Sequence, residues 1–421
     1  MRKSRSARLG HGAIRSVKTG GYVRWQVVAI ALAFSVLALG AAYFVGGAES
    51  GDARPRITTL QRTDAGERKP ARPPVSAAVA TQPALAADRQ PRAGQEEVCG
   101  LGFVQTGSGA ADAYAQIPAP LKRDAEQKAY HAMTSSTDER IQATGLLLKE
   151  RAARDGMTQA GGSADQLAQI ARRSSDPVVY AIALEACGML QKGTSTPGCD
   201  SLNAAKWAQL EPANAAPWLR LAQEAQANRD APALAEAIYR ITQARKIDWH
   251  ANDVAVLAVQ GLPENMDALG RTVAVREAWD AQEDWTPASS QGLLQFCEQS
   301  ADVNRAQVCS DAAELFVRAG TTPAELRDGI RIGRHIGWDA RRVEDLRLRR
   351  DVLSQAAADA PFYKHPASCA SVAALQDWSA TQQQAGELGA AQMLMQRSGQ
   401  GVEPAVAALR HKRLERRNTI H

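Results

Sequence analysis

The chain has 421 residues, a formal net charge of +5, 45% hydrophobic residues, 5% aromatic residues and 23% charged residues. This length suits about two or three domains, and the composition excludes both a wholly disordered chain and a multi-spanning membrane protein. Helix-forming Ala, Leu, Gln, Arg and Glu are abundant, and long β-branched stretches are missing. An all-α fold is therefore favoured over an all-β fold.

The positive charge lies at the two ends of the chain. Residues 1–25 carry seven basic residues and no acidic residue, and residues 405–421 contribute a further +4. Residues 98–404, in contrast, have a net charge of −7. A nucleic-acid-binding module needs a basic face, and this acidic body gives no support for one. We expect no nucleic-acid partner.

The uncharged stretch 26–47, QVVAIALAFSVLALGAAYFVGG, is typical of one transmembrane helix. Its 22 residues suffice because about 20 apolar residues span a bilayer core. The basic segment 1–25 precedes it, so the positive-inside rule predicts a cytoplasmic tail and an external remainder. We predict a bacterial inner-membrane protein with a periplasmic C-terminal domain. A cleaved signal peptide is the alternative, with Ala48-Glu49-Ser50 as a small-residue cleavage site.

Residues 48–97 contain six prolines, eleven alanines and no aromatic residue. Such a segment cannot bury a core, so the sequence predicts a disordered linker. Residues 98–421 then read as an α-helical domain, in which three helix starts show a capping residue followed by proline: Asp176-Pro177, Thr286-Pro287 and Thr322-Pro323. The loops between the predicted helices are short, which is typical of stacked helical hairpins.

The segment 204–247 resembles the junction of two tetratricopeptide repeats. Its Leu210-x-Pro212-x-Asn214 run is similar to the end of one repeat. Residues that match the next repeat follow at Trp218, Leu221, Ala222, Ala225 and Ile238. Leu234 and Lys246 depart from the family's pattern. The resemblance covers about 44 residues and implies a TPR-like α-solenoid that binds partners on a concave face, without implying any chemistry.

All six cysteines lie beyond the predicted span and linker, and an even count there indicates disulfides in an oxidising compartment. The pattern Pro-x9-Cys-x11-Cys occurs twice, starting at Pro177 and at Pro287, which favours an internal duplication. We therefore expect the two cysteines of each pattern to form a disulfide that joins the two helices of one hairpin. Six cysteines allow fifteen connectivities, and the pairing we predict is Cys187–Cys199, Cys297–Cys309 and Cys99–Cys369.

Two further groups of residues are candidates for function. Trp249, Trp338 and Trp378 are predicted to anchor a partner, because interface hot spots favour tryptophan; packing in the core is the alternative. Asp280, Glu283 and Asp284 lie between two tryptophans in the sequence, and paired carboxylates can hydrolyse glycosidic bonds. The alternative for these acids is an ordinary helix end.

The search for other chemistry finds no nucleophile elbow, no phosphate-binding loop and no His-Glu-x-x-His motif. His365-x-x-x-Cys369 is the nearest approach to metal-ligand spacing. We assign no catalytic residue, metal ligand or cofactor. The sequence favours a membrane-anchored interaction or assembly scaffold with a protein partner over an enzyme, and a carbohydrate-acting protein that uses the carboxylates of 280–284 is the alternative.

Overall fold

A computed structural model describes residues 92–106, 113–154, 162–190, 196–299 and 303–419. The predicted tail, the predicted span and most of the predicted linker lie outside these residues. Within the described ranges, no helix is both long enough and apolar enough to cross a membrane. The described chain is all-helical apart from one short β-hairpin, so the predicted all-α class is confirmed.

The hairpin pairs β1 (Gln95–Val98) with β2 (Gly102–Gln105) in antiparallel register. The first strand begins at Gln95, three residues before the predicted start of the helical domain at residue 98. The sixteen helices of the described ranges follow in chain order as α1 Ala119–Thr134, α2 Glu139–Arg154, α3 Gly162–Arg173, α4 Pro177–Gly188, α5 Pro197–Asp200, α6 Ala204–Leu210, α7 Ala215–Asn228, α8 Ala231–Gln243, α9 Asp253–Gln260, α10 Ala268–Glu283, α11 Gln291–Glu298, α12 Val303–Ala319, α13 Pro323–His335, α14 Ala340–Ala358, α15 Cys369–Arg397 and α16 Val402–Thr419.

Two of the three predicted helix starts are confirmed. The Asp176 side chain accepts a hydrogen bond from the backbone N–H of Val178 at 2.8 Å, and Thr322 forms a reciprocal capping box with Glu325. The predicted start at Thr286-Pro287 is wrong, because no helix begins there and α11 starts only at Gln291. The backbone N–H of Thr286 instead donates a hydrogen bond to Oε1 of Glu185 on α4, with an N···O distance of 3.4 Å. A tertiary contact therefore takes the place of the helix cap.

Consecutive helices pack against each other, most extensively α1 on α2, α3 on α4, α7 on α8, α9 on α10 and α12 on α13. Their buried faces form one main core, whose largest fully buried side chains include Trp207, Phe316 and Met133. A second core joins α14, α15 and α16 to Trp279 of α10. The chain therefore folds back on itself, and α15 lies against α9 and α10.

The cysteines form the three predicted pairs, Cys187–Cys199, Cys297–Cys309 and Cys99–Cys369. The first two pairs staple neighbouring helices that are close in sequence. The third pair, with a sequence separation of 270 residues, ties the hairpin to the first residue of α15. It leaves Cys369 without a free thiol, so the His365-x-x-x-Cys369 spacing cannot supply a metal ligand pair.

Helix α15 is kinked at Gly386, whose φ of 69° and ψ of 176° are non-helical. The kink brings the helix against the turn before α13, where the Leu388 N–H donates to the carbonyl of Thr321 at 3.0 Å. A Cβ atom on residue 386 would lie 2.4 Å from the Cβ of Thr321. Only glycine fits both this backbone conformation and this close approach.

A candidate binding cleft with two unlike walls

A cleft of about 390 Å³ opens where four segments meet. Its lining comes from residues 246–253, from the end of α10 and the loop behind it at 282–287, from 319–322, and from the kinked part of α15 at 382–387. The kink at Gly386 is what turns the last of these segments towards the other three. The lining is rich in polar side chains, and its two sides differ in charge balance.

One side belongs to a network of charges around His250, which we call the balanced wall because each of its charged groups is paired within it (Glu211, Lys246, Asp248, His250 and Asp253). Glu211 is part of this network but not of the cleft lining. The ring of His250 is buried, and its Nδ1 and Nε2 lie 2.9 Å from Asp253 Oδ2 and 3.0 Å from Glu211 Oε2. Burial alone would lower the pKa of His250. The hydrogen bonds to Asp253 and Glu211, with the charge of Asp248, outweigh it and raise the pKa to about 10. At neutral pH both ring nitrogens therefore donate.

Lys246 is the second cation of the balanced wall. Its Nζ lies 2.5 Å from Glu211 Oε1 and 3.1 Å from Asp248 Oδ2. Burial opposes ionisation of Glu211, but His250, Lys246 and Asn214 lower its pKa to about 2. Glu211 is therefore a permanently charged partner of two cations.

Asn214 connects the backbone to the balanced wall. Its Nδ2 donates to Glu211 Oε2 at 2.8 Å and to the carbonyl of Asp248 at 2.7 Å, and its Oδ1 accepts from the N–H groups of Asp248 and Ala216. This fully buried amide has both functions of its side chain satisfied. It ends the Leu210-x-Pro212-x-Asn214 run of the sequence, and that local pattern does not predict its hydrogen bonds to residue 248.

Three groups of the balanced wall resemble a metal site, since ligand atoms of Glu211, Asp248 and His250 all lie within 4.8 Å of one another. The protein's own groups fill this arrangement, however. The ammonium of Lys246 contacts both carboxylates, and His250 is protonated at neutral pH. Because a metal ligand needs a neutral imidazole with a free lone pair, the residues present fit an internal ion network better than a metal ion.

The other side is the carboxylate wall, formed by Glu283 at the end of α10 and Glu387 just after the kink. Within the described residues, neither carboxylate has a hydrogen bond or an ion pair. Burial and the nearby Glu283 and Glu325 raise the pKa of Glu387 to about 7. Burial and the neighbouring acids Asp280 and Asp284 raise the pKa of Glu283. These two groups therefore repel additional negative charge, and neither has a counter-ion among the described residues.

Glu325 lies behind this wall and is saturated with donors. Its oxygens accept from the N–H groups of Thr321 at 2.6 Å and Thr322 at 3.1 Å, and from Trp249 Nε1 at 2.9 Å. Burial nevertheless keeps its pKa above the ordinary value. Trp249 and Trp285 also line the cleft, so aromatic surface lies beside the acids.

Gln282 forms part of the lining next to Glu283 and is only 5% exposed. Its Nε2 donates to Gln382 Oε1 at 2.7 Å, while its Oε1 has no hydrogen-bond partner among the described residues. The neighbouring Gln383 donates to Asp253 Oδ1 at 2.7 Å and so links α15 to the balanced wall. Amide groups thus connect the two sides.

The structure separates the three acids that the sequence grouped. Glu283 lines the cleft, whereas Asp280 lies 3.3 Å from Arg276 Nη2 and Asp284 lies 2.8 Å from Arg151 Nη2. The second member of the carboxylate wall is Glu387, which is 104 positions away in sequence and carries no local motif that would have identified it.

The three tryptophans predicted as partner anchors are also separated. Trp249 and Trp378 are buried, at 8% and 6% exposure, which is the core placement that the sequence left open. Trp338 is half-buried, with the Arg342 guanidinium 3.7 Å from its ring centroid. No large exposed tryptophan surface remains at these positions, so an anchoring role would fall to Trp338 or to the edge of Trp249 in the cleft.

The residues thus form a polar cleft with an excess of negative charge on one side. Comparisons with protein-family models, with curated proteins and with solved structures give no significant match.

Proposed function

We propose that this protein is a membrane-anchored, periplasmic helical-repeat protein that binds a partner protein and serves as an interaction or assembly scaffold. The cleft carries this proposal, because it holds two carboxylates that no described group of the chain neutralises. Burying part of an ionised carboxylate without a partner costs free energy. A fold that keeps two such groups on a surface cleft is suited to a ligand that neutralises them.

Three other observations support a binding role. The helices pack in consecutive pairs, as the local tetratricopeptide resemblance implies for a partner-binding solenoid. The balanced wall gives the cleft a fixed shape through a satisfied ion network. The predicted span and linker would hold the folded part close to the membrane while leaving the cleft free to reach a partner.

The test is in-cell photo-cross-linking of the tagged full-length protein. A photo-reactive residue replaces Gln384, which is exposed and lines the cleft, and a matched control replaces Gln307, which is exposed on α12 and is not part of the lining. We expect one protein to cross-link from position 384 and to be lost when Glu283 and Glu387 are both changed to Gln. Equal cross-linking from both positions, or none from either, would contradict the proposal.

A second candidate function is acid–base chemistry on a carbohydrate. The observation that favours it is that Glu387, with its pKa raised to about 7, is partly protonated at neutral pH beside a second carboxylate and two tryptophans. A general acid needs this protonation state, and glycosidases use a pair of carboxyl groups.

The two functions differ in turnover. The full-length protein would be incubated with peptidoglycan fragments, and released products would be measured by mass spectrometry. A carbohydrate-acting protein should lose activity in Glu387→Gln and in Glu283→Gln but retain it in Asp284→Asn, because Asp284 is paired with Arg151 outside the lining. Partner cross-linking without turnover would support the scaffold.

A further inference from the structure

The carboxylate wall has a composition that selects the chemistry of its ligand. The cleft lining holds four carboxylates, from Asp248, Asp253, Glu283 and Glu387, and two cations, from Lys246 and His250. Both cations are already bound within the balanced wall. The excess of acceptors therefore lies on the side of Glu283 and Glu387, and an anionic ligand is excluded there by repulsion.

Gln282 gives an independent indication of a missing donor. Its Oε1 is buried and has no hydrogen-bond partner in the part of the chain that the structure describes, although its Nε2 is paired with Gln382. A buried carbonyl left without a donor costs about 1–3 kcal/mol, and such groups are rare in folded proteins. A ligand that donates to this oxygen as well as to the carboxylates would remove that cost.

Three acceptors at this side of the cleft have no partner among the described residues: the carboxylates of Glu283 and Glu387, and Oε1 of Gln282. A primary ammonium has three N–H donors, no acceptor and one positive charge, so its donors equal these three acceptor groups in number and its charge is opposite to that of the carboxylates. The tryptophans of the lining add aromatic surface, which also favours cations.

We infer that this side of the cleft is a recognition site for a primary alkylammonium group, bound by Glu283, Glu387 and Gln282. The inference rests on the proposed scaffold function, since the ammonium would belong to the partner, either as a lysine side chain or as a free amino terminus. The ammonium is then the chemical group of the partner that the cleft recognises.

The experiment uses the full-length protein in detergent micelles and blocked amino acids as probes, with binding measured by calorimetry. Nα-acetyl-lysine amide presents only the side-chain ammonium, and its Nε-acetylated form is the matched neutral probe. Alaninamide presents only an α-ammonium. We expect the lysine probe or alaninamide to bind with a millimolar dissociation constant, and the stronger of the two to identify the source of the group.

The Nε-acetylated probe should bind at least about tenfold more weakly than the lysine probe if a lysine side chain is recognised. Glu387→Gln and Gln282→Leu should each weaken ammonium binding by about tenfold, while Asp284→Asn leaves it unchanged. Glu387→Gln removes an unpaired charge and should not unfold the protein, so a loss of binding in this variant reports on the site.

Three results would overturn the inference: no binding of either ammonium probe, binding of the Nε-acetylated probe as strong as that of the stronger ammonium probe, or unchanged binding of that ammonium probe in Glu387→Gln. If position 384 still cross-links a partner while ammonium probes fail, only this inference falls. If ammonium probes bind but no partner is cross-linked, the proposed scaffold function falls while the amine site stands.

Discussion

The two walls of the cleft place glutamates of similar accessibility in opposite electrostatic states. On the balanced wall, Glu211 contacts His250, Lys246 and Asn214, and its pKa falls to about 2. On the carboxylate wall, Glu387 is also half-buried but has no cationic contact in the described structure, and its pKa rises to about 7. Burial opposes ionisation in both cases. The difference teaches that the donors within hydrogen-bond distance, rather than burial, decide the state of each carboxylate.

This difference also separates structure from function. The balanced wall satisfies its own charges and joins three stretches of chain, so its residues are expected to stabilise the fold. The carboxylates of the carboxylate wall have no ion-pair partner among the described residues. These residues are therefore expected to lower the stability of the fold and to bind a ligand. Four substitutions can break or sharpen this distinction.

The largest effect is expected from His250→Ala. It removes the cation between Glu211 and Asp253 and leaves two half-buried carboxylates with only Lys246 and amide groups as close compensation. Breaking a buried charge network typically costs about 3–5 kcal/mol, so the free energy of unfolding should fall by about that amount in a denaturant titration at pH 7. His131→Ala, at an exposed position of α1, is the control and should change it by less than about 0.5 kcal/mol. A loss below about 1 kcal/mol in His250→Ala would mean that the wall is not structural.

Gly386→Ala should cause the second largest loss in the free energy of unfolding. The added Cβ would meet Thr321 at 2.4 Å, and the backbone has a positive φ of 69°. Steric overlap and backbone strain together should lower the free energy of unfolding by about 2–4 kcal/mol, measured by denaturant titration. Gly188→Ala, with no atom within 4 Å of its added Cβ, is the control and should be neutral or slightly stabilising. If the two variants behave alike, the kink does not hold α15 in place.

Glu126→Gln tests a site outside the cleft where two glutamates share one lysine. Buried Glu126 shares Lys122 with Glu277: the Nζ lies 3.6 Å from Glu126 Oε1 and 2.8 Å from Glu277 Oε1. Burial and the charge of Glu277 raise the pKa of Glu126 from 4.5 to about 7. Because the folded state holds this proton more tightly, its stabilising contribution is full below pH 4.5 and is lost as the pH rises through 7.

The wild-type protein should therefore lose up to about 3 kcal/mol from this group between pH 4.5 and pH 7.5. In Glu126→Gln this loss should be absent, so the variant should be more stable than wild type at pH 7.5 and similar to it at pH 4. Denaturant titrations at the two pH values measure the difference. The surface variant Glu236→Gln removes only an exposed ion pair with Arg240. Its free energy of unfolding should therefore equal that of the wild type at both pH values. Parallel pH profiles of wild type and Glu126→Gln would refute the prediction.

The smallest effect on stability is expected from Glu387→Gln, which removes the unpaired carboxylate of the cleft. The folded-state pKa of Glu387 is raised, as it is for Glu126. The variant should therefore equal the wild type in stability below pH 4.5 and be more stable than the wild type at pH 8. Because the side chain is half-exposed, the gain should be only about 1 kcal/mol, measured as a rise in thermal midpoint. A clear destabilisation at pH 8 would show that Glu387 makes a structural contact and would remove the basis for a ligand site.

What the sequence by itself determined is local. The caps at Asp176 and Thr322 depend on hydrogen bonds between residues two or three positions apart, so the residue types suffice to predict them. The disulfides within hairpins follow from a spacing that places two cysteines on neighbouring helices. Helix content follows from composition. These features need no knowledge of how distant segments meet.

What only the tertiary structure decided is the cleft. Glu211 reaches His250 across 39 positions, and Glu387 lines the same cleft as Glu283, 104 positions away, because Gly386 bends α15 at one point. The missing helix start at Thr286 has the same origin, since Glu185 of another helix takes its N–H. Long-range packing brings these groups together, and no periodicity within a single helix encodes which distant carboxylate will find a cation and which will be left for a ligand.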